Sequence, residues 1–223
     1  MISNQTFDAV VWDMDGLIFD TERLSFLAWQ HGAKALGQTI DEPMFIRLIG
    51  MNAARIKACL KEWLGSSVDV EELTLEASRR YDELIANGPP LKQGAIDCLR
   101  FLKSQSVPQA LATSSSRRYA ERKLGHHQLL DLFDTLVTGD QVAHGKPDPE
   151  PYLTAAQRLG VDPERCIAFE DSVNGIHSAH TAGMFTILVP DMAPHDQSSL
   201  SKVKKQFSSL SHALPFLQEL FTP

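Results

Sequence analysis

Four stretches of this chain place oxygen-rich side chains directly after short apolar runs. Asp13-Met14-Asp15-Gly16 follows Ala9-Val10-Val11-Trp12, and Thr113-Ser114-Ser115-Ser116 follows Ala110-Leu111-Ala112. Gly139-Asp140 and then Gly145-Lys146-Pro147 follow Thr135-Leu136-Val137, and Glu170-Asp171-Ser172 follows Ile167-Ala168-Phe169. Brought to one place, they supply several carboxylates, a cluster of hydroxyls and one lysine. The set has no histidine base, no cysteine nucleophile and no dinucleotide-type glycine fingerprint. Carboxylates crowded into a small site raise one another's pKa and stay ionised together only beside a cation. Mg²⁺ suits oxygen ligands and commonly keeps waters and a substrate phosphate in its shell. Lysine and hydroxyl donors complement the equatorial oxygens of a phosphoryl group. The inventory points to phosphoryl transfer at a divalent cation.

Those residues meet only if the elements carrying them are arranged suitably. The four runs, and a fifth at Thr186-Ile187-Leu188-Val189, read as buried parallel strands. Helical spacing alternates with the last four: Ile96, Leu99 and Leu102; Tyr152, Ala155, Ala156 and Leu159; Ile176, Ala179 and Ala182. That alternation predicts an α/β fold with a Rossmann-like, doubly wound parallel sheet, whose ligands bind beyond the carboxyl ends of the strands. Residues 22–87 break the pattern with helical signals only. Phe26, Ala28, Trp29, Ala33 and Leu36 form one helical stripe ending at Gly37. Ile56, Leu60, Trp63 and Leu64 form another ending at Gly65, and Leu73, Ala77, Tyr81 and Leu84 a third. Gly88-Pro89-Pro90 then opens a linker. The expected organisation is a catalytic core of residues 1–20 and 91–223 with an inserted all-helical cap domain, 21–90.

The 223 residues are 43% hydrophobic and 22% charged, enough for a sizeable core. A net charge of -7 argues against a nucleic-acid partner, which needs a basic surface. Cys59, Cys98 and Cys166 are spaced as neither a disulfide framework nor a zinc site and read as buried reduced thiols. The N-terminus lacks the pattern of a signal peptide, and no apolar run approaches the ~18 residues of a membrane span. The expectation is a cytoplasmic protein without a membrane partner, a monomer or weak dimer.

In order and spacing, Asp13-Met14-Asp15-Gly16, Thr113, Lys146-Pro147, Glu170-Asp171, Gly175-Ile176 and Ala182-Gly183 resemble the haloacid dehalogenase superfamily. The helical insert after the first motif resembles the cap of its β-phosphoglucomutase-like branch. The resemblance implies a Mg²⁺-dependent phosphatase acting on a small phosphorylated metabolite, a sugar phosphate or nucleotide-like monophosphate. It implies that Asp13 is the nucleophile and forms an aspartyl-phosphate. Asp15 is then the acid toward the leaving oxygen and the base toward water. Thr113 and Lys146 become the phosphate clamp, with Ser114 beside them. Asp13, the Asp15 backbone carbonyl and Asp171 become metal ligands, with Glu170 direct or through water. Gly16 lets the loop turn and offers backbone N–H groups to phosphate. In the cap, Asn52 and Arg55 follow the Leu48-Ile49-Gly50 turn as candidate substrate contacts.

Asp15 and the Glu170-Asp171 pair speak against dehalogenation, which needs neither. A sugar phosphomutase is the alternative. Its hinge histidine, about twelve residues past the nucleophile, is Ser25 here, and its cap arginine is displaced to Arg55, so the departures favour hydrolysis. A receiver-like phospho-acceptor module is a third reading, disfavoured by the length, the insert and Asp15. Several residues have plainer readings. Ser115 or Ser116 caps the helix that begins near Arg117. His177 and His180 are surface or packing residues, His126-His127 a solvated helix end, and Phe26, Trp29 and Trp63 cap core.

Overall fold

The computed structural model describes residues 6–49, 51, 53–65 and 67–222. The chain opens with β1 (Ala9–Trp12) and then forms four successive helices, α1 (Thr21–Ala35), α2 (Glu42–Leu48), α3 (Ala53–Leu64) and α4 (Val70–Leu84). It continues through α5 (Ala95–Ser104), β2 (Gln109–Ala112), α6 (Arg117–His126), β3 (Thr135–Val137), α7 (Glu150–Leu159) and β4 (Cys166–Glu170). It closes with α8 (Val173–Thr181), β5 (Phe185–Leu188), α9 (Gln197–Leu200), β6 (Lys205–Gln206) and α10 (Leu210–Phe221).

The six strands form one sheet in the order β3-β2-β1-β4-β5-β6, and every neighbouring pair is parallel. This is the expected doubly wound sheet with one more strand than the five apolar runs. β6 is a two-residue edge strand, Lys205-Gln206, with no apolar run to betray it. The direction of strand addition reverses at β1, so the loops after β1, β2 and β4 share the crevice where such sheets bind ligands.

Alternation along each strand sorts side chains by size. Trp12, Leu111, Phe169 and Ile187 face α5, α6 and α10. Ala9, Val11, Ala110, Ala112 and Ala168 face α7 and α8. Trp12 stacks on Phe169 at 4.5 Å, and its indole N–H donates to Gln109 Oε1 at 3.0 Å, so the large side of the sheet is anchored directly beneath Asp13.

Helices α1 to α4 bury an apolar cluster of their own, including Ala33, Ile40, Phe45, Leu48, Leu60, Val70 and Leu73. Phe26, Trp29 and Trp63 pack against it as anticipated. Gly32 lets α1 and α4 approach closely: a β-carbon there would sit 2.6 Å from the Leu73 carbonyl oxygen. The short α2 gave no clear stripe but carries a start signal, Asp41 accepting from the Met44 N–H at 2.9 Å ahead of Pro43. Two strands of backbone join these helices to the sheet. Asp20 N–H donates to Pro90 O at 2.8 Å, Lys92 N–H donates to Ile18 O at 2.8 Å, and Phe19 pairs antiparallel with Leu91.

Cys98 and Cys166 are buried, while Cys59 is only half-buried. His127 corrects the solvated-end reading. It is half-buried, its Nε2 lies 2.8 Å from Pro89 O, and its ring tilts over Phe19 at 5.4 Å. His126 is exposed as expected, so only His127 turns the end of α6 against the linker. No helix among the described residues is long and apolar enough to cross a membrane.

Candidate active site

Strand register brings the candidate residues together. Trp12 pairs with Leu111 on one side and with Phe169 on the other, so the residues that follow, Asp13, Thr113 and Glu170, emerge at one edge. Asp13 N–H donates to Phe169 O at 3.0 Å and Thr113 N–H to Val137 O at 3.0 Å, which extends the sheet to the first residue of each loop. Asp13, Thr113, Glu170 and Asp171 are all buried.

Lys146 enters from the loop before α7 and lies 2.5 Å from both Asp13 Oδ1 and Glu170 Oε1. Burial alone would lower the ammonium pKa, but Asp13 and Glu170 outweigh it and hold Lys146 above its ordinary value. Burial pushes Asp13 up to about 8, with Glu170 adding to the rise and Lys146 opposing it. Glu170 has both oxygens occupied. Lys146 and the Tyr152 hydroxyl donate to Oε1 at 2.5 and 2.7 Å. The N–H groups of Asp171 and Ser172 donate to Oε2 at 3.1 Å each, and the Ser172 hydroxyl at 2.9 Å. Ser172 in turn accepts from Gly175 N–H at 3.0 Å and caps α8, so capping and the acidic motif use different atoms.

Asp171 differs from its neighbour. Its Oδ1 is buried with no hydrogen-bond partner among the described residues. Burial, then Asp13 and Glu170, hold its pKa well above the usual carboxylate range. Ligand atoms of Asp13, Glu170 and Asp171 lie within 4.8 Å of one another. Three buried carboxylates against one lysine, with one oxygen unpartnered, form an oxygen-donor set that a small divalent cation fits. Gly16 makes this possible: its φ is +84°, and a β-carbon there would overlap Asp171 Oδ2. The turn is as expected, but the Gly16 N–H is directed inward and donates to Phe19 O at 2.9 Å, closing the loop rather than facing a ligand.

Asp15 sits apart from that trio. Lys123 Nζ lies 2.5 Å from its Oδ1, and the Ser115 hydroxyl donates to Oδ2 at 2.7 Å. Burial would raise Asp15, but the Lys123 charge and the hydrogen bonds from Lys123 and Ser115 outweigh it and hold the carboxyl below its ordinary pKa. This corrects the capping expectation for α6. Ser115 serves Asp15, and Ser116 stands at the N-cap without a side-chain bond. The Arg117 N–H is instead held by Asp140 at 3.0 Å, because Asp140 follows the adjacent strand β3 and meets the helix start across the crevice.

Above these groups lies a cavity of about 300 Å³. Asp13, Asp15, Thr113, Ser114, Lys146 and Asp171 line its floor, while Glu22, Ile49, Met51 and Asn174 form its walls. Arg55 is exposed on α3 and is not among the lining residues, so the structure does not bring it to the site. Asn52 lies outside the described residues. His177 and His180 join no metal-holding cluster among the described residues.

A family model for haloacid dehalogenase-like hydrolases matches residues 10–189. The chain belongs to that family. This hydrolase is 38% identical over 181 residues to a phosphorylated carbohydrates phosphatase of Thermotoga maritima, covering 79% of this chain and 82% of the relative. It is 35% identical over 193 residues to the β-phosphoglucomutase of Bacillus subtilis, covering 83% and 84%. Its fold superimposes with a TM-score of 0.83 on a HAD family hydrolase from Deinococcus radiodurans with bound phosphate and sodium, at 29% identity over 99% of this chain and 100% of that one.

Four side chains that contact or flank the site residues were not among the motif candidates, and three carried a signal. Lys123 falls between Ala120 and Leu124 on the buried face of α6, where a lysine has no reason to be without an acid partner. Asp191 follows the fifth apolar run with only Pro190 between, near the strand end as the other acids are. Glu22 lies in the first turn of α1, and burial, then Asp15 and Asp191, push its carboxyl up to about 7. Tyr152 read as a core residue, and only the fold shows its hydroxyl against Glu170.

Proposed function

We propose that this hydrolase is a Mg²⁺-dependent phosphomonoesterase acting on a small phosphorylated metabolite through an aspartyl-phosphate on Asp13. The observation that carries the reading is the buried Asp13–Lys146–Glu170 chain beside Asp171, one of whose buried oxygens has no donor among the described residues. A phosphatase relative at 38% identity supports it.

Asp13 and Asp171, with the Asp15 backbone carbonyl, hold the cation, and Glu170 acts one step back, because its oxygens already accept from Lys146, Tyr152, Ser172 and the Asp171 N–H. Bound there, Mg²⁺ supplies the positive charge that lets these carboxylates ionise together and offsets the phosphoryl oxygens. Asp13 attacks phosphorus and the ester P–O bond breaks. Asp15, once it has taken a proton from solvent, delivers that proton to the departing oxygen. Water then attacks the aspartyl-phosphate, gives its proton to Asp15 and releases phosphate and free Asp13. Asp15 as placed here, ionised by Lys123, is in the state the second half needs. Lys146, Thr113 and Ser114 orient the phosphoryl group. Residues 21–90 act as a cap that excludes water when closed over the cavity through Ile49 and Met51.

Purified protein with Mg²⁺ should release phosphate from a generic aryl phosphate, and Asp13→Asn should abolish that release. Full activity in Asp13→Asn would end the proposal. Interconversion of hexose phosphates without net phosphate release would instead mark a mutase, the activity named for the B. subtilis relative.

A further inference from the structure

Asp191 stands three residues past the end of β5, outside the trio whose ligand atoms cluster within 4.8 Å. Its side chain is 2% exposed. Oδ1 lies 2.6 Å from Lys92 Nζ. Oδ2 is buried and has no hydrogen-bond partner among the described residues. Buried carboxylate oxygens are nearly always satisfied, so an orphan needs a reason. Its position supplies one. A β-carbon on Gly16 would stand 3.4 Å from Asp191 Oδ2 and would overlap Asp171 Oδ2, so the two carboxylates flank the same glycine of the nucleophile loop. Asp171 also keeps an unpartnered buried oxygen. Their repulsion contributes to the raised pKa of Asp171, behind burial, Asp13, Glu170 and Glu22.

Lys92, the other partner of Asp191, belongs to the backbone that returns from the helical block. Its own N–H is tied to Ile18 O at 2.8 Å, and its predecessor Leu91 pairs with Phe19. One carboxylate therefore touches the returning backbone with one oxygen and stands beside Gly16 and Asp171, at the edge of the acidic cluster, with the other.

We infer that Asp191 is a positioning residue for the active-site cation, acting through the ion's water shell rather than as a direct ligand, with Lys92 competing for its charge. This rests on the divalent-cation reading above. Partners one step behind metal ligands typically change metal affinity by about 10- to 100-fold when removed. The two members of the ion pair should then act in opposite directions. Asp191→Asn removes charge from the pocket and weakens Mg²⁺ binding. Lys92→Gln leaves Asp191 uncompensated and strengthens it. A purely structural ion pair would not give opposite signs, because either substitution would break it equally.

The test is calorimetric titration of Mg²⁺ into the metal-stripped, phosphate-free full chain at pH 8, which needs no turnover. The expected result is a Kd about tenfold higher for Asp191→Asn and about threefold lower for Lys92→Gln. A Kd within twofold of wild type in folded Asp191→Asn, or a shift in the same direction for both variants, overturns the inference. Should Asp191→Asn not fold, Lys92→Gln decides alone: tighter binding supports the inference, and unchanged or weaker binding overturns it. Wild-type protein that binds no Mg²⁺ overturns both this and the proposed function. Wild-type binding with unaltered variants overturns this inference only.

Discussion

Glu22→Gln should stabilise the metal-free protein at high pH, although it removes a charged residue from the first turn of a helix. An acid at that position ordinarily gains from the helix macrodipole. Here Glu22 lies in the wall of the acidic cavity, and burial, then Asp15 and Asp191, raise its pKa from 4.5 to about 7. A raised folded-state pKa means that the folded protein holds the proton more tightly than the unfolded chain. That stability is complete below 4.5 and is lost as pH rises through 7. At about 1.4 kcal/mol per pH unit, the loss is under about 1 kcal/mol at pH 5 and about 3 kcal/mol at pH 8. Glutamine resembles protonated Glu22 in shape and never ionises. The variant should therefore match wild type near pH 4 and exceed it by about 3 kcal/mol at pH 8. Asp13 and Asp171 also titrate upward; Glu22 contributes to the rise at Asp171, so removing its charge eases that group too and widens the gap in the same direction. The assay is urea unfolding in a metal chelator at both pH values. Adding Mg²⁺ should shrink the gap, because a nearby divalent cation favours ionised Glu22. A Glu22→Gln variant less stable than wild type at pH 8, or equally offset at both pH values, would refute the reasoning.

Gly175→Ala should destabilise the fold even though alanine favours helix by about 1 kcal/mol, because a β-carbon inside α8 would overlap the Glu170 carboxylate; lowered Tm and lost Mg²⁺ binding would show it. Tyr152→Phe should cost about 1–3 kcal/mol in chemical unfolding by removing a donor from buried Glu170, with the sheet otherwise unchanged. Lys123→Met leaves Asp15 without its cation and should cost about 3 kcal/mol at pH 7. Because Asp15 titrates below its ordinary value, that cost should diminish as pH falls toward 3, measurable as converging urea midpoints.

Much of the sheet and the acidic edge could be read from the residues alone, for a physical reason. Central parallel strands are buried on both faces and so appear as unbroken apolar runs, and the polar residue ending each run marks the carboxyl edge. Asp13, Thr113 and Glu170-Asp171 were legible this way. β6 was not, because an edge strand needs only backbone pairing and Lys205-Gln206 carries no hydrophobic mark. Helix α2 was hidden by its seven-residue length, too short for a stripe.

The charge arrangement belongs to the tertiary structure. The sequence by itself determined which groups can take part: hard oxygen donors and a lysine, at strand ends, with a glycine where the loop must turn. Only the fold decided how they are paired. It gave Lys146 to Asp13 and Glu170, Lys123 and Ser115 to Asp15, and Lys92 to Asp191, across separations of 133, 24, 108, 100 and 99 residues. Helical and strand periodicities are local and leave a repeating trace along the chain. An ion pair between distant segments leaves none, since its energy depends on separation and burial in space, which sequence spacing does not encode.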